Sequence, residues 1–144
     1  MKLLIVTIII LVVSQSIKFL IFLYKGGRIT KDSVFWNYIW IGKFPSTHAA
    51  ILGGVLYTVW HEEGISLFFG FCTIISALFI YMLIENRKRY KILEMYFSKS
   101  NDHAIQSIIS DNKLNEFEGH TAREVIVGLV LGITLAIVVL GVMG

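Results

Sequence analysis

Two histidines, a lysine and a glutamate interrupt a chain that is otherwise largely apolar: His48, His120, Lys18 and Glu124. Two histidines can act as nucleophile and general acid in phosphoryl transfer. A carboxylate four residues after a histidine lies on the same helix face, where it can hold the tautomer of the ring and stabilise the imidazolium. A nearby lysine would neutralise a phosphoryl group. Brought together by the fold, these side chains would suit phosphoryl transfer through a phosphohistidine.

The segment before His48 predicts the start of a helix. Pro45 is expected in the first helical turn, because it lacks the N–H that would be unpaired there. Ser46 or Thr47 can cap the helix, and the free N–H groups behind them favour an anion. Small residues follow at 49–50 and 53–54, which lets another backbone or a ligand come close. This helix start is therefore a candidate phosphate site with an imidazole beside it.

The first apolar stretch carries its polar residues on one helix face. Thr7, Ser14 and Lys18 follow the spacing i, i+7 and i+11, with Gln15 adjacent. Lys18 lies about 9 Å inside the end of this stretch at ~1.5 Å per residue. A lysine there is costly in lipid and is expected to face a cavity or a partner. Snorkelling of its ammonium group to the interface is the alternative, and the sequence leaves both open.

A basic cluster after the third apolar stretch supplies two further candidates for phosphate binding, Arg87 and Arg89. No acidic cluster suited to Mg²⁺ is present on the basic side of the protein, so we expect neither a metal nor another cofactor. A zinc site built from His48, His120 and Glu124 is a disfavoured alternative, because the surrounding cations oppose a dication.

Composition places the chain among membrane proteins. Its 144 residues are 56% apolar and 16% charged, with a mean hydropathy of +0.72, which is too apolar for a soluble domain of this size. Its single cysteine excludes an intrachain disulfide. We expect an all-α integral membrane bundle in one domain, residues 1–144, with about four transmembrane helices and additional interfacial helices. The expected spans are 3–24, 46–60, 66–85 and 119–143.

The connections between these spans carry weaker signals. Residues 25–44 combine lysines with aromatic rings, which is typical of a membrane–water interface. Residues 61–64 predict a solvated acidic turn rather than a metal site. Residues 86–118 predict a basic amphipathic segment on an anionic membrane surface, with a further short helix around 104–109.

The distribution of positive charge predicts sidedness. Of the 13 Lys and Arg residues, only Lys2 lies at the start of the first span, and the others lie in or near two connections that four spans would place on one side. The positive-inside rule makes that side cytoplasmic, in a multi-pass cell-membrane protein whose candidate site faces the cytoplasm. No nucleic-acid motif is present. Gly128 and Gly132 have the small-xxx-small spacing of close helix packing, and a homodimer through them is plausible.

Three motifs together resemble the divergent branch of the type 2 phosphatidic acid phosphatase superfamily, which includes acid phosphatases and vanadium haloperoxidases. They read Gln15-Ser16-Ile17-Lys18, Pro45-Ser46-Thr47-His48 and Gly119-His120-Thr121-Ala122-Arg123-Glu124-Val125. The superfamily uses related Pro-Ser-Gly-His and His-x-x-x-Asp elements. The resemblance spans most of the chain, and the combined spacing is more specific than any single element.

The resemblance implies a role for each matched residue. His120 would be the nucleophile, Glu124 its orienting carboxylate and His48 the acid that protonates the leaving oxygen. The residues expected to bind the substrate phosphate are Gln15, Lys18, Ser46, Thr47, Arg87 and Arg89. The chain departs from the family pattern at Thr47, which replaces a small Gly or Ser. It departs again in 85–89, which lacks the usual Gly-Val-Arg-Arg run.

These signals predict a membrane-embedded, metal-independent lipid-phosphate phosphatase that acts on a phospholipid or prenyl (di)phosphate head group. Two alternatives stay open: a non-catalytic membrane protein that binds phosphate or lipid head groups, and a structural or assembly subunit whose histidines only pack. Catalytic imidazoles must reach one phosphoryl group. Rings of His48 and His120 lying more than ~10 Å apart would therefore favour the structural subunit.

Overall fold

The computed structural model describes residues 1–26, 44–99 and 119–144, and the regular structure within them is entirely helical. The expected all-α class is thereby confirmed. In chain order the helices are α1 (Lys2–Tyr24), α2 (Thr47–Glu63), α3 (Leu67–Ser98) and α4 (Ala122–Met143). The short helix expected around 104–109 lies outside the described residues, as does most of the interfacial segment expected over 25–44.

Helices α1, α3 and α4 are each long and apolar enough to cross a membrane. Their outward side chains are large and apolar, as lipid contact requires. Helix α2 has 17 residues, about 25 Å at ~1.5 Å per residue, which is shorter than a ~30 Å hydrocarbon core. It contacts each of the other three helices. The chain is thus a helical membrane bundle built around a short central helix.

Small residues let α2 and α4 approach backbone to backbone. A methyl group added at Gly53 would lie 2.6 Å from the carbonyl oxygen of Leu129, and one added at Gly132 would fall on the carbonyl of Ala50. Beside this contact, α1 completes the apolar core with Val6 and Ile10. Membrane helices use small residues for this kind of approach, because dispersion contacts replace the hydrophobic effect there.

The homodimer expected through Gly128 and Gly132 therefore needs a different surface. Both glycines are buried within the chain. Gly128 lies against the carbonyl of Ser46, and Gly132 lies against that of Ala50. Their spacing did indicate close helix packing, but the partner is α2 of the same chain. The homodimer itself stays a prediction.

Two expected boundaries are wrong. Helix α3 does not end near residue 85 but continues unbroken to Ser98, so the start of the basic segment extends the third apolar helix. No Gly or Pro occurs between 71 and 118 to stop it, and Glu85 pairs with Lys88 at 3.8 Å and Arg89 at 3.6 Å along the same helix.

Helix α2 likewise includes His61, Glu62 and Glu63, which were expected in a turn. It ends at Glu63, and the C-cap residue Gly64 has a φ of 64°, which favours glycine. Ser66 then caps α3 by accepting a hydrogen bond from the Phe69 N–H at 3.1 Å.

One polar cluster ties three helix ends together. The Lys2 ammonium donates to Glu62 at 3.3 Å and to the carbonyl of Gly144 at 3.2 Å. The start of α1 and the ends of α2 and α4 are thereby held at one level of the bundle. Lys18 and His48 both lie about 21–24 Å along their helices from this end, at ~1.5 Å per residue. Measured from this shared end, the helix lengths therefore bring Lys18 and His48 to one level of the bundle.

Candidate active site

The start of α2 forms one half of the site. Ser46 is the N-cap residue and is fully buried, and its hydroxyl oxygen accepts a hydrogen bond from the Ala49 N–H at 3.4 Å. Pro45 was expected in the first helical turn, but it precedes the cap. Capping orders the first turn, whose leading N–H groups have no acceptor within the helix and are available to bind an anion.

The start of α4 forms the other half and is fixed by a capping box. The Thr121 hydroxyl accepts a hydrogen bond from the Glu124 N–H at 3.3 Å, and the Thr121 N–H donates to Glu124 Oε2 at 2.9 Å. Sequence reasoning missed the contribution of Thr121, although Thr-x-x-Glu before an apolar run is the signature of this motif. The capping box holds the Glu124 carboxylate beside the residue that precedes the helix.

That neighbouring residue is His120, whose Nδ1 lies 3.3 Å from Glu124 Oε2. A carboxylate oxygen only accepts, so Nδ1 is the ring atom that carries the hydrogen. The lone pair of the neutral ring then lies on Nε2, which is the arrangement that a histidine nucleophile needs. The two side chains retain only 12% and 15% of their exposure, so little water competes for this contact.

The two histidine rings lie next to each other. Their centroids are 5.9 Å apart and their planes are tilted by 52°. His48 is the more exposed of the two, which leaves it open to an incoming ligand while His120 is held from behind by Glu124. Both imidazoles are close enough to contact a single phosphoryl group.

Burial is the main influence on the pKa of His120. Burial lowers the pKa of His120 below its usual range, and the nearby Lys18 and His48 lower it further, while the hydrogen bond to Glu124 opposes them. Lys18 is itself 7% exposed in the bundle. The structure thus decides the question that the sequence left open: Lys18 faces the site rather than the membrane surface.

The other expected phosphate ligands separate into two groups. Thr47 lies at the site, with its hydroxyl 3.5 Å from Gln15 Oε1, so these two side chains face each other across α1 and α2. Arg87 also lies near the site, because its main-chain nitrogen packs against Gly119. Arg89 points away: it is 72% exposed and lies 3.6 Å from Glu85.

No group of three or more His, Cys, Asp and Glu side chains suited to a metal ion occurs in the described parts of the chain. The zinc site from His48, His120 and Glu124 stays a disfavoured alternative.

Comparison with known families places the chain in one of them. The family model described as "Divergent PAP2 family" matches residues 1–135. The chain belongs to the divergent PAP2 family. The match is consistent with the resemblance seen in the motifs and relates the chain to PAP2-type phosphatases. Searches of curated proteins and of solved structures gave no match.

All site residues lie within the region shared with the divergent PAP2 family, from Gln15 to Glu124. In this divergent PAP2 chain, the three motifs lie within α1 and at the starts of α2 and α4. Tertiary structure adds a fourth contributor that the motifs do not contain, the middle of α3.

Proposed function

We propose that this protein is a membrane-embedded, metal-independent lipid-phosphate phosphatase with His120 as its nucleophile. One observation carries the proposal: the rings of His48 and His120 lie 5.9 Å apart while His120 Nδ1 is bound to Glu124. The first contact lets two imidazoles share one phosphoryl group, and the second fixes the tautomer of the attacking ring. Membership of the divergent PAP2 family supports the same reaction class.

The reaction has two steps. In the first, the lone pair on His120 Nε2 attacks phosphorus, the bond from phosphorus to the lipid oxygen breaks, and His48 gives its proton to that oxygen. In the second, the oxygen of a water molecule attacks phosphorus, the N–P bond breaks, and His48 accepts the proton of the water. The products are the dephosphorylated lipid and inorganic phosphate.

Positive groups around the rings would stabilise the phosphoryl oxygens. Lys18 supplies a buried ammonium, and the first-turn N–H groups of α2 supply aligned donors behind the Ser46 cap. Arg87, whose main-chain nitrogen packs against Gly119 beside His120, is an arginine candidate. Glu124 stabilises the ring of His120 once the N–P bond has made that ring cationic. These protein cations perform the charge neutralisation that a metal performs in other phosphatases.

The depth of the site favours a lipid substrate. Lys18 and His48 lie about 21–24 Å from the opposite end of the bundle, less than the ~30 Å thickness of a hydrocarbon core. Beyond Lys18, α1 continues with apolar residues to Tyr24. A phosphate carried on a phospholipid or prenyl chain would reach this level from within the bilayer. The exposed basic residues near this end, Lys25, Lys88, Arg89 and Lys91, favour a cytoplasmic orientation.

The test is phosphate release by purified protein in nanodiscs or detergent without added metal. The substrate panel contains a phosphatidate, a phosphatidylglycerophosphate and a prenyl diphosphate. His120→Ala is expected to abolish release. His61→Ala is the matched control, because His61 is an exposed histidine at the far end of α2 that contacts Glu62.

Each outcome has a definite meaning. Turnover that survives His120→Ala would remove His120 as the nucleophile. Vanadate or phosphate binding without turnover across the panel would instead make the chain a phosphate-binding membrane protein. Neither binding nor turnover would favour a structural subunit.

A further inference from the structure

A main-chain contact joins the middle of α3 to the candidate nucleophile. The N–H of His120 donates a hydrogen bond to the carbonyl oxygen of Leu83 at 3.0 Å. His120 precedes the N-cap residue of α4, so its N–H has no acceptor within that helix. The backbone of His120 is therefore held by α3, while its ring is held by Glu124 of α4.

Gly119 is the residue that permits this contact. It is buried, and a methyl group added there would fall on the carbonyl of Leu83 and lie 2.6 Å from the main-chain nitrogen of Arg87. Both atoms belong to the backbone of a continuous helix and cannot swing aside like the tip of a side chain. The φ of Gly119 is outside the left-handed region. Glycine is thus required here for space rather than for backbone conformation.

The same turn of α3 carries Arg87. In an α-helix the N–H of residue i+4 bonds to the carbonyl of residue i, so the Leu83 carbonyl that receives His120 is also the acceptor for Arg87. A carbonyl oxygen has two lone pairs and can serve both donors. The separation between His120 and Arg87 is consequently set by one turn of backbone.

We propose that α3 positions the nucleophile: the Leu83 carbonyl anchors the His120 backbone, and Gly119 is a positioning residue that lets the two chains meet. The catalytic consequence rests on the proposed phosphatase function. The positioning itself does not, and it can be measured without a substrate. A displacement of roughly 1 Å at a reacting group can cost about 100-fold in rate, so this anchor would matter for turnover.

The first experiment uses the unmodified chain. Amide hydrogen exchange at His120, measured by NMR in detergent micelles, is expected to be about 100-fold or more slower than in an unstructured peptide. Since helix α4 offers that N–H no acceptor, the bond to Leu83 is the hydrogen bond that would slow its exchange. Exchange at the rate of an unstructured peptide would overturn the proposal without any variant.

The second experiment uses Gly119→Ala. Gly70→Ala in α3 and Gly141→Ala in α4 are its matched controls, because a methyl group at either position has nothing within 4 Å. Only Gly119→Ala is expected to speed exchange at His120, by about 10-fold or more, with slow exchange retained in buried segments of α4 such as Ala136. The ¹⁵N chemical shifts of the His120 ring should change in the same variant.

Kinetics then separate positioning from folding. In Gly119→Ala, kcat is expected to fall by roughly 10–100-fold with a smaller change in KM. Unchanged exchange and ring signals in this variant would refute the inference even if the protein is an active phosphatase. Altered exchange together with unchanged kcat would remove its catalytic consequence. An inactive unmodified protein would refute the proposed function alone, because the exchange measurement would still report the anchor.

Discussion

The main-chain N–H of Ser46 donates a hydrogen bond of 3.2 Å to the main-chain carbonyl of Glu124. This bond joins the cap of α2 to the first turn of α4. The side chain of Glu124 meanwhile binds His120, and Ser46 lies two residues before His48. Glu124 thus holds His120 through its carboxylate and the helix start that carries His48 through its backbone.

Replacing Glu124 by Gln should separate its electrostatic role from its structural one. Gln also fits a capping box, so the start of α4 should stay folded. The charge that stabilises the cationic His120 ring is lost, and we expect kcat to fall by roughly 10²–10⁴-fold. Steady-state kinetics on the best substrate of the panel measure this. A fall below threefold would assign the carboxylate a capping role only.

The pH dependence of the same variant gives an independent test. Burial lowers the pKa of His120, and the bond to Glu124 opposes that effect. Since the neutral ring attacks, kcat/KM should hold as pH falls to ~6.5 and decline only below it. Removing the opposing charge lowers the pKa again, so Glu124→Gln should move this acid limb to lower pH. An acid limb above pH 7 in the unmodified protein, or a limb that moves upward in the variant, would contradict the assignment.

Lys18→Met should weaken phosphate binding without weakening the fold. Lys18 is buried, and methionine fills a similar volume without a charge to desolvate. We expect inhibition by vanadate or phosphate to weaken by roughly 10–100-fold, the value of one charge-assisted hydrogen bond. The melting temperature should stay level or rise. Lys25→Met, at an exposed residue just beyond α1, is the control. A lower melting temperature with unchanged inhibition would mean that Lys18 is structural.

Substitutions of Arg87 and Arg89 should differ in their effect on turnover, although the two residues are close in sequence. The Nε and Nη1 atoms of Arg87 are shielded from solvent, and its backbone packs against Gly119. Arg89 is exposed beside Glu85, a surface pair worth only about 0.2–0.5 kcal/mol. Turnover should fall by roughly 10-fold or more in Arg87→Ala and stay level in Arg89→Ala. Equal effects in the two variants would argue for a general charge effect instead.

The contact between α2 and α4 should tolerate no added methyl group. In Gly132→Ala the new methyl falls on the Ala50 backbone, and we expect a loss of about 1–3 kcal/mol in the free energy of unfolding. Gly141→Ala lies in the same helix in open space, and its helix propensity should add up to about 1 kcal/mol. Denaturant unfolding in mixed micelles compares them. Equal free energies of unfolding for the two variants would show that α2 and α4 can shift apart and accept the methyl group at Gly132 without cost.

Much of the architecture was readable from local signals. Long apolar runs predicted the membrane helices, and Ser46 was a candidate cap that the structure confirms. The wrong end of α3 and the missed role of Thr121 also had signals in the sequence. The 71–118 stretch contains no helix breaker, so a longer α3 was predictable, and Thr121 with Glu124 matched the capping-box pattern.

By itself, the sequence determined which residues could do chemistry and which helix starts carry them, because caps and side-chain spacing are set within one or two turns of chain. Only the tertiary structure decided that Lys18 faces inward, that Gly128 and Gly132 meet α2 of the same chain, and that the Leu83 carbonyl holds His120. These relationships join residues far apart in sequence through main-chain atoms. Nearly every residue type has the same main-chain groups, so no sequence motif could have predicted these contacts.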